Sequence, residues 1–331
     1  MENFRPTKRS KLELAAPVSH KNEQFWILDG NTVLEVGGVL FKLHRSRLVD
    51  QSIFFSHLLD ERNVQMDGVV VKSDENGIVY HLSNTTPKDL EALLQLDKNP
   101  MAYYLVPPPF PVLAAIIRAA TALRFDTYRA FAVKHLENAW SSSVTDLTTE
   151  RKSNAVEVVV LARTCGINSV LKRAFYEMVR VAGYGLGDGE FDADNGERPQ
   201  EISRADERRL ERMREHLISA WLQVAVRVDR TFICPNQPKE PTAGTESRSS
   251  TLPKCPSLYS KRDAWERRVH DSGLYAEYKF DPFCGLQALI DIKWDEDEGW
   301  CSDCVHAKRE VWRTMRQRTW ERIEVWMGLD K

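Results

Sequence analysis

Two cysteines three residues apart, in Cys301-Ser302-Asp303-Cys304, are the side chains of this sequence best suited to chemistry. Thiolates at this spacing reach one metal ion from a single turn, and zinc takes four soft ligands in a tetrahedron. Cys234 and Cys255, each followed by proline, are the distant partners that would complete a structural zinc site. His270 and His306 stand as substitutes for either of them. Two other readings of the pair stay open: reduced thiols buried in a core, or a dithiol redox couple. Cys284, in Asp281-Pro282-Phe283-Cys284, has apolar neighbours and reads as a buried thiol.

Other constellations carry less. Cys304 and His306 are two residues apart, so on a helix they face different ways and make no nucleophile–base pair. No catalytic residue is assigned, and the chain is expected not to be an enzyme. Glu190, Asp192, Asp194 and Glu201 trace the outline of a calcium loop. Asn195 stands where the tight turn needs glycine and Glu197 where an apolar anchor belongs, so the segment reads as an acidic linker. The glycines of GYGLGDG follow no strand, and the acids around them repel phosphate.

These groups sit in a chain of 331 residues, 42% hydrophobic and 28% charged, long enough for two or three packed domains. A formal net charge of −2 gives no indication of a nucleic-acid partner. No apolar run approaches the ~18 residues that span a bilayer, and no signal segment opens the chain. Six sparse cysteines argue for a reducing compartment, hence an intracellular protein of nucleus or cytoplasm, with no membrane partner.

Residues 1–24, with Arg5, Lys8, Arg9 and Lys11 among prolines, read as a disordered tail. Val33, Leu34 and Val36 alternate as a strand, Gly37-Gly38 supplies a tight turn, and Val39, Phe41 and Leu43 form its partner. Leu48 starts a short helix, and Phe54, Phe55, Leu58 and Leu59 fit a second. Residues 60–75 read as a polar loop before a strand over 78–82. Thr85 or Thr86 caps the next helix, with Pro87 in its first turn. The spacing of Val112, Leu113, Ile116, Ile117, Ala120 and Leu123 predicts another helix, and residues 126–138 one more.

This order of elements, with Asp29 before the first of these strands, His44-Arg45 at the end of the second and Ser52-Ile53-Phe54-Phe55 after it, resembles the BTB/POZ domain. DGNTVLEV, LFKLHRSRL, FPVLAAIIRAATALRF and LARTCGINSVLKRAFYEMVR are similar to segments of the BTB proteins expanded in basidiomycete fungi. The resemblance covers roughly residues 25–180. It implies an α+β fold: a BTB/POZ domain over 25–140, a small sheet with a cluster of helices, followed by a mostly helical C-terminal region. It also implies protein–protein interaction and oligomerisation, with itself or another BTB protein, through a surface that includes Trp26, Ile27, Leu28, Asp29 and Arg45. His44 becomes a histidine at the core boundary. Two regulatory settings follow from the family: substrate adaptor of a cullin-type ubiquitin ligase, or zinc-containing transcription or chromatin regulator. Leu59-Asp60-Glu61 loosely matches the adaptor signal. The acid expected opposite Arg45 falls on Asn31, so the charged pocket of some family members is not carried over.

Beyond residue 140, a helical extension is expected to 233, with a helical pair near 156–181 and a long helix over 204–228. A flexible Pro/Ser-rich insertion covers 234–258, and a separate Cys/Trp-rich unit 259–331, which holds six of the nine tryptophans. Trp312, Met315, Thr319, Ile323 and Trp326 make a helical stripe that packs on the rest of the chain. Arg309, Arg313, Arg316, Arg318 and Arg322 are either solvated or part of a partner-binding or DNA-phosphate-binding helix.

Overall fold

Alternating Thr32–Val36 and Val39–Leu43 form the hairpin that the double glycine predicts. Gly37 and Gly38 both take positive φ, +52° and +85°, which the two-residue turn requires and which favours glycine. In the computed structural model, which describes residues 19–60, 66–75, 77–181, 202–226, 228, 234 and 255–329, this hairpin is the centre of a mixed sheet. The chain divides into two compact units, Met1–Leu136 and Glu137–Lys331.

The sheet of the first unit takes in β1 (His20–Trp26), β2 (Thr32–Val36), β3 (Val39–Leu43), β4 (Val69–Asp74) and β5 (Gly77–Leu82), in the order β1-β3-β2-β5-β4. β1 runs parallel to β3 and β2 parallel to β5, while β2–β3 and β4–β5 are antiparallel. Two of these strands lie outside the sequence expectation. β1 begins inside the segment read as a tail, and β4 lies inside the segment read as a loop.

Among the described residues five α-helices accompany the sheet: α1 (Arg45–Gln51), α2 (Ile53–Leu58), α3 (Pro87–Lys98), α4 (Phe110–Ala122) and α5 (Asp126–Ala139). Ser52 caps α2 by accepting from the Phe55 amide at 3.0 Å and donates its own hydroxyl to the Leu123 carbonyl at 2.6 Å. Thr86 caps α3 with Pro87 in the first turn. Buried Asp89 of α3 accepts two arms of Arg118 from α4, at 2.6 and 3.0 Å, a bidentate pair that fixes the two helices in register. Leu34, Phe41, Phe55, Leu90, Ile116 and Leu123 form the dry interior.

The second unit is helical: α6 (Ala155–Cys165), α7 (Leu171–Val179), α8 (Arg204–Ala225), α9 (Leu258–Trp265), a π-helical turn (Glu266–Asp271), α10 (Leu274–Glu277), α11 (Pro282–Asp291), α12 (Trp294–Glu298) and α13 (Ser302–Met327). Trp221, Ala225 and Val228 share one core with Trp265, Val269, Leu289, Trp294, Trp300 and Trp312. Residues 259–331 therefore do not stand as a separate unit. Their aromatic faces find cover on α8, which had been assigned to the preceding extension. The first part of the expected insertion, 235–254, and the acidic segment 182–201 lie outside the described residues, as do 1–18. Ser257, also inside the expected insertion, caps α9.

Buried charge ties the unit together. Arg173 and Arg180 of α7 flank Glu177, which bonds both at 2.8 and 3.1 Å, and Arg180 reaches Asp281 at 2.8 Å. Arg173 Nη1 and Arg180 Nη2 donate to the backbone carbonyls of Asp146 and Thr148, while Arg173 Nη2 and Arg180 Nε are buried with no acceptor among the described residues. The Ser/Thr-rich stretch after Trp140 is thus tied to these two arginines, its carbonyls offsetting part of the cost of burying their charge.

Candidate metal centre

Gly299, at φ +67°, ends α12 and lets Trp300 turn inward to 3% exposure. Cys301 follows as the N-cap of α13, and Cys304 sits in its first turn. Both thiols project from the positive end of a long helix dipole, where unpaired amides favour thiolate. Cys255 stands two residues before the cap of α9, and Cys234 completes the group.

The four sulfur atoms lie within 4.8 Å of one another, with Cys234–Cys301 and Cys255–Cys304 each at 3.6 Å. Sulfurs about 2.3 Å from a tetrahedral zinc stand ~3.8 Å apart. A disulfide would bring them to about 2.05 Å, and all six cysteines of the chain are free. Four soft donors at this spacing fit a thiophilic divalent ion.

Surrounding groups act differently on the individual sulfurs. The backbone N–H of Cys301 donates to Cys255, and that of Cys304 to Cys301. Lys261 of α9, 5% exposed, donates from Nζ to Cys304 Sγ at 3.3 Å and lies over the Trp300 ring at 5.4 Å. Burial pushes the Cys255 thiol up, but the Cys301 amide and the Lys261 ammonium outweigh it and bring it down to about 7. Burial pushes Cys301 and Cys304 up instead. Burial opposes the charge of Lys261, yet its hydrogen bonds to Cys255 and Cys304 hold its pKa above the ordinary lysine value. The sequence gives no sign of Lys261, one lysine among many in a charged stretch.

The expected substitutes stay out of the cluster. His306 is exposed on α13, and His270 bonds the Val226 carbonyl at 3.1 Å. Cys165 is buried at the end of α6. Cys284 is buried on α11, its thiol pushed up to about 12 by burial and then by the Asp281 carboxylate.

The residues expected to mediate interaction gather at the end of β1. Trp26 is half-buried against Val33, Leu40 and Val79, with Lys21 Nζ 4.6 Å from its ring centre. Ile27 donates its amide to the Lys42 carbonyl, and Leu28 is 90% exposed. Asp29 meets His44 at 3.5 Å rather than Arg45. Among the described residues Arg45 has no acidic partner: its amide donates to Asn31 Oδ1 at 2.7 Å and its guanidinium to the Leu59 carbonyl. Beside this surface a cleft of about 370 Å³ is lined by Phe25, Ile27, His44, Leu48 and Phe125. Leu59 is 6% exposed, so the apolar residue of the loose adaptor signal faces the interior, and Glu61 lies outside the described residues. The calcium-like segment lies outside them as well.

On α13 the stripe packs in part: Trp312, Thr319 and Ile323 are buried, while Met315 and Trp326 are half-buried. None of the described helices is long and apolar enough to cross a membrane. No protein-family model matches the chain, and no curated protein matches it.

Proposed function

We propose that this chain is a non-catalytic protein-association module of the BTB/POZ type, and that a single structural zinc on Cys234, Cys255, Cys301 and Cys304 holds its helical C-terminal half. Its role is regulatory, exerted by bringing proteins together. The observation that carries the association reading is the edge at β1. Among the described residues β1 pairs only with β3, and it runs into Ile27 and the 90% exposed Leu28. An open strand edge with an apolar side chain beside it is a template for a second chain.

Zinc supplies a cross-link here, joining α9 and the start of α13 to the segment that carries Cys234, and Lys261 offsets part of the negative charge of four thiolates. The same donors serve no reaction: all four thiolates are taken up as ligands, which is the pattern of a closed structural site.

Sedimentation velocity of the full chain at micromolar concentration tests the association. A dimer that Leu28→Asp converts to monomer supports the reading, and a wild-type monomer across that range removes self-association and leaves a different partner chain. Affinity purification then separates the regulatory settings. Recovery of a cullin selects the ubiquitin-ligase adaptor, and recovery of chromatin proteins selects the transcriptional one.

A further inference from the structure

The five arginines of α13 have different fates. Arg316 is buried and donates to the Phe283 carbonyl at 3.0 Å. Arg309 donates to the carbonyls of Ile290 and Ile292, and Arg313 pairs with Glu310. Arg318 and Arg322 are exposed, and among the described residues neither side chain has a hydrogen bond or ion pair. They stand one turn apart on the same face and line one groove between α8 and α13, of about 600 Å³.

Ala220 of α8 and Val311 and Met315 of α13 give the groove an apolar floor, Val311 remaining 54% exposed. At the far end Trp326 is stacked on His216, ring centres 4.7 Å apart, so the aromatic wall is already fixed in place. The one acid among the lining residues, Glu310, is engaged by Arg313. The groove, an apolar floor flanked by polar Ser219, Gln223 and Thr314 with two guanidiniums on its rim, holds no free partner of opposite charge among the described residues.

We propose that this groove binds an acidic amphipathic helix of another protein, with its apolar stripe on Val311 and Met315 and two carboxylates one turn apart on Arg318 and Arg322. Length favours a peptide over a small anion. From Glu310 to Trp326 the α13 wall runs roughly 24 Å at 1.5 Å per residue, several turns of a docked helix. An inorganic anion would fill only the arginine end. Charge and floor together disfavour nucleic acid, whose interfaces are polar and draw on many phosphate contacts. None of the groove-lining residues belongs to the cysteine cluster or to β1.

The test uses the full-length protein and a fluorescein-labelled, N-acetylated helical peptide about 16 residues long, with leucines on one face and glutamates one turn apart beside them. Anisotropy should give saturable binding. Arg318→Glu together with Arg322→Glu should weaken it at least about tenfold, through lost pairing and like-charge repulsion. The same double variant should bind a peptide with lysine in place of glutamate better than the wild type does, which a misfolded variant would not. Equal binding of the glutamate peptide to wild type and double variant would overturn the proposal, as would equal binding of a glutamine-substituted peptide. No binding of the glutamate peptide up to millimolar concentration would also overturn it, and so would a single-stranded oligonucleotide that occupies the two arginines in its place.

Discussion

Cys301 and Cys304 were legible as a pair because a Cys-x2-Cys spacing puts two thiols on one turn of a helix start. Cys234 and Cys255 were legible as the remaining cysteines placed beside proline, and the structure brings all four sulfurs within 4.8 Å. Lys261 was not, since a buried ammonium carries no sequence mark until its acceptors are known. If zinc occupies the site, Cys301→Ser and Cys304→Ser should each reduce bound zinc from one equivalent to a small fraction and lower the thermal midpoint. Cys165→Ser and Cys284→Ser should leave the metal in place, because both thiols are buried elsewhere. Elemental analysis of protein purified without chelator or metal-binding tag decides it, and a folded wild type without zinc would remove the metal from the reading.

Helix contacts give a second expectation, at Gly285 of α11. A Cβ there would stand 2.6 Å from the Trp221 ring and 2.7 Å from Tyr278 Cβ, closer than real side chains approach. Alanine is the better helix former by about 1 kcal/mol, but overpacking of this kind costs about 1–3 kcal/mol and occasionally more. The clash sits against an indole that is fully buried and cannot swing aside. Gly285→Ala should therefore lower the unfolding free energy in a denaturant titration, and an unchanged or raised value would show that α8 and α11 can separate freely. The strands show where reading by pattern failed. In β1 only Phe25 is buried, so HKNEQFW has no alternation to read. In β4, Val70 and Val71 are both more than half exposed, as edge residues are, and the run looked like part of a polar loop. The Asn76-Gly77 dipeptide in the sequence was the turn signal that could have marked it. The central hairpin and the capped helices were legible because their residues do one job each: glycines at positive φ, Ser52 and Thr86 at caps.

Protonation couples several parts of the protein to alkaline stability. Burial, and then hydrogen bonding to Asp97, pushes Tyr128 up to about 12. Burial, then Glu277, does the same for Tyr278, and Cys284 also rises to about 12. In the unfolded chain these groups give up protons near their ordinary values, about 8.5 for cysteine and about 10 for tyrosine. Above those values the unfolded state holds fewer protons than the folded one, so stability falls as pH rises. Their contribution is complete below about pH 8.5 and is lost progressively up to about 12. Thermal midpoints should fall across that window, and Cys284→Ala should flatten the fall by removing one of the three groups. A wild-type midpoint independent of pH across the window would contradict the buried, protonated state of these groups.

The shared core of the helical unit also means that covalent continuity between residues 234 and 255 is dispensable to it. Trp221, Ala225 and Val228 come from one side of that segment, and Trp265, Leu289, Trp294 and Trp312 from the other. Neither set can bury its indoles alone. A chain divided there should behave as two complementary fragments: each poorly folded and sticky when expressed singly, and together reconstituting a stable body. Co-expression of 1–240 with 250–331 should yield a complex with the helical content and thermal transition of the intact protein, whereas a fragment 250–331 that folds by itself would show that the division of the core is only apparent. Such a split makes the segment between the two pieces a natural place to graft another protein without disturbing the fold on either side.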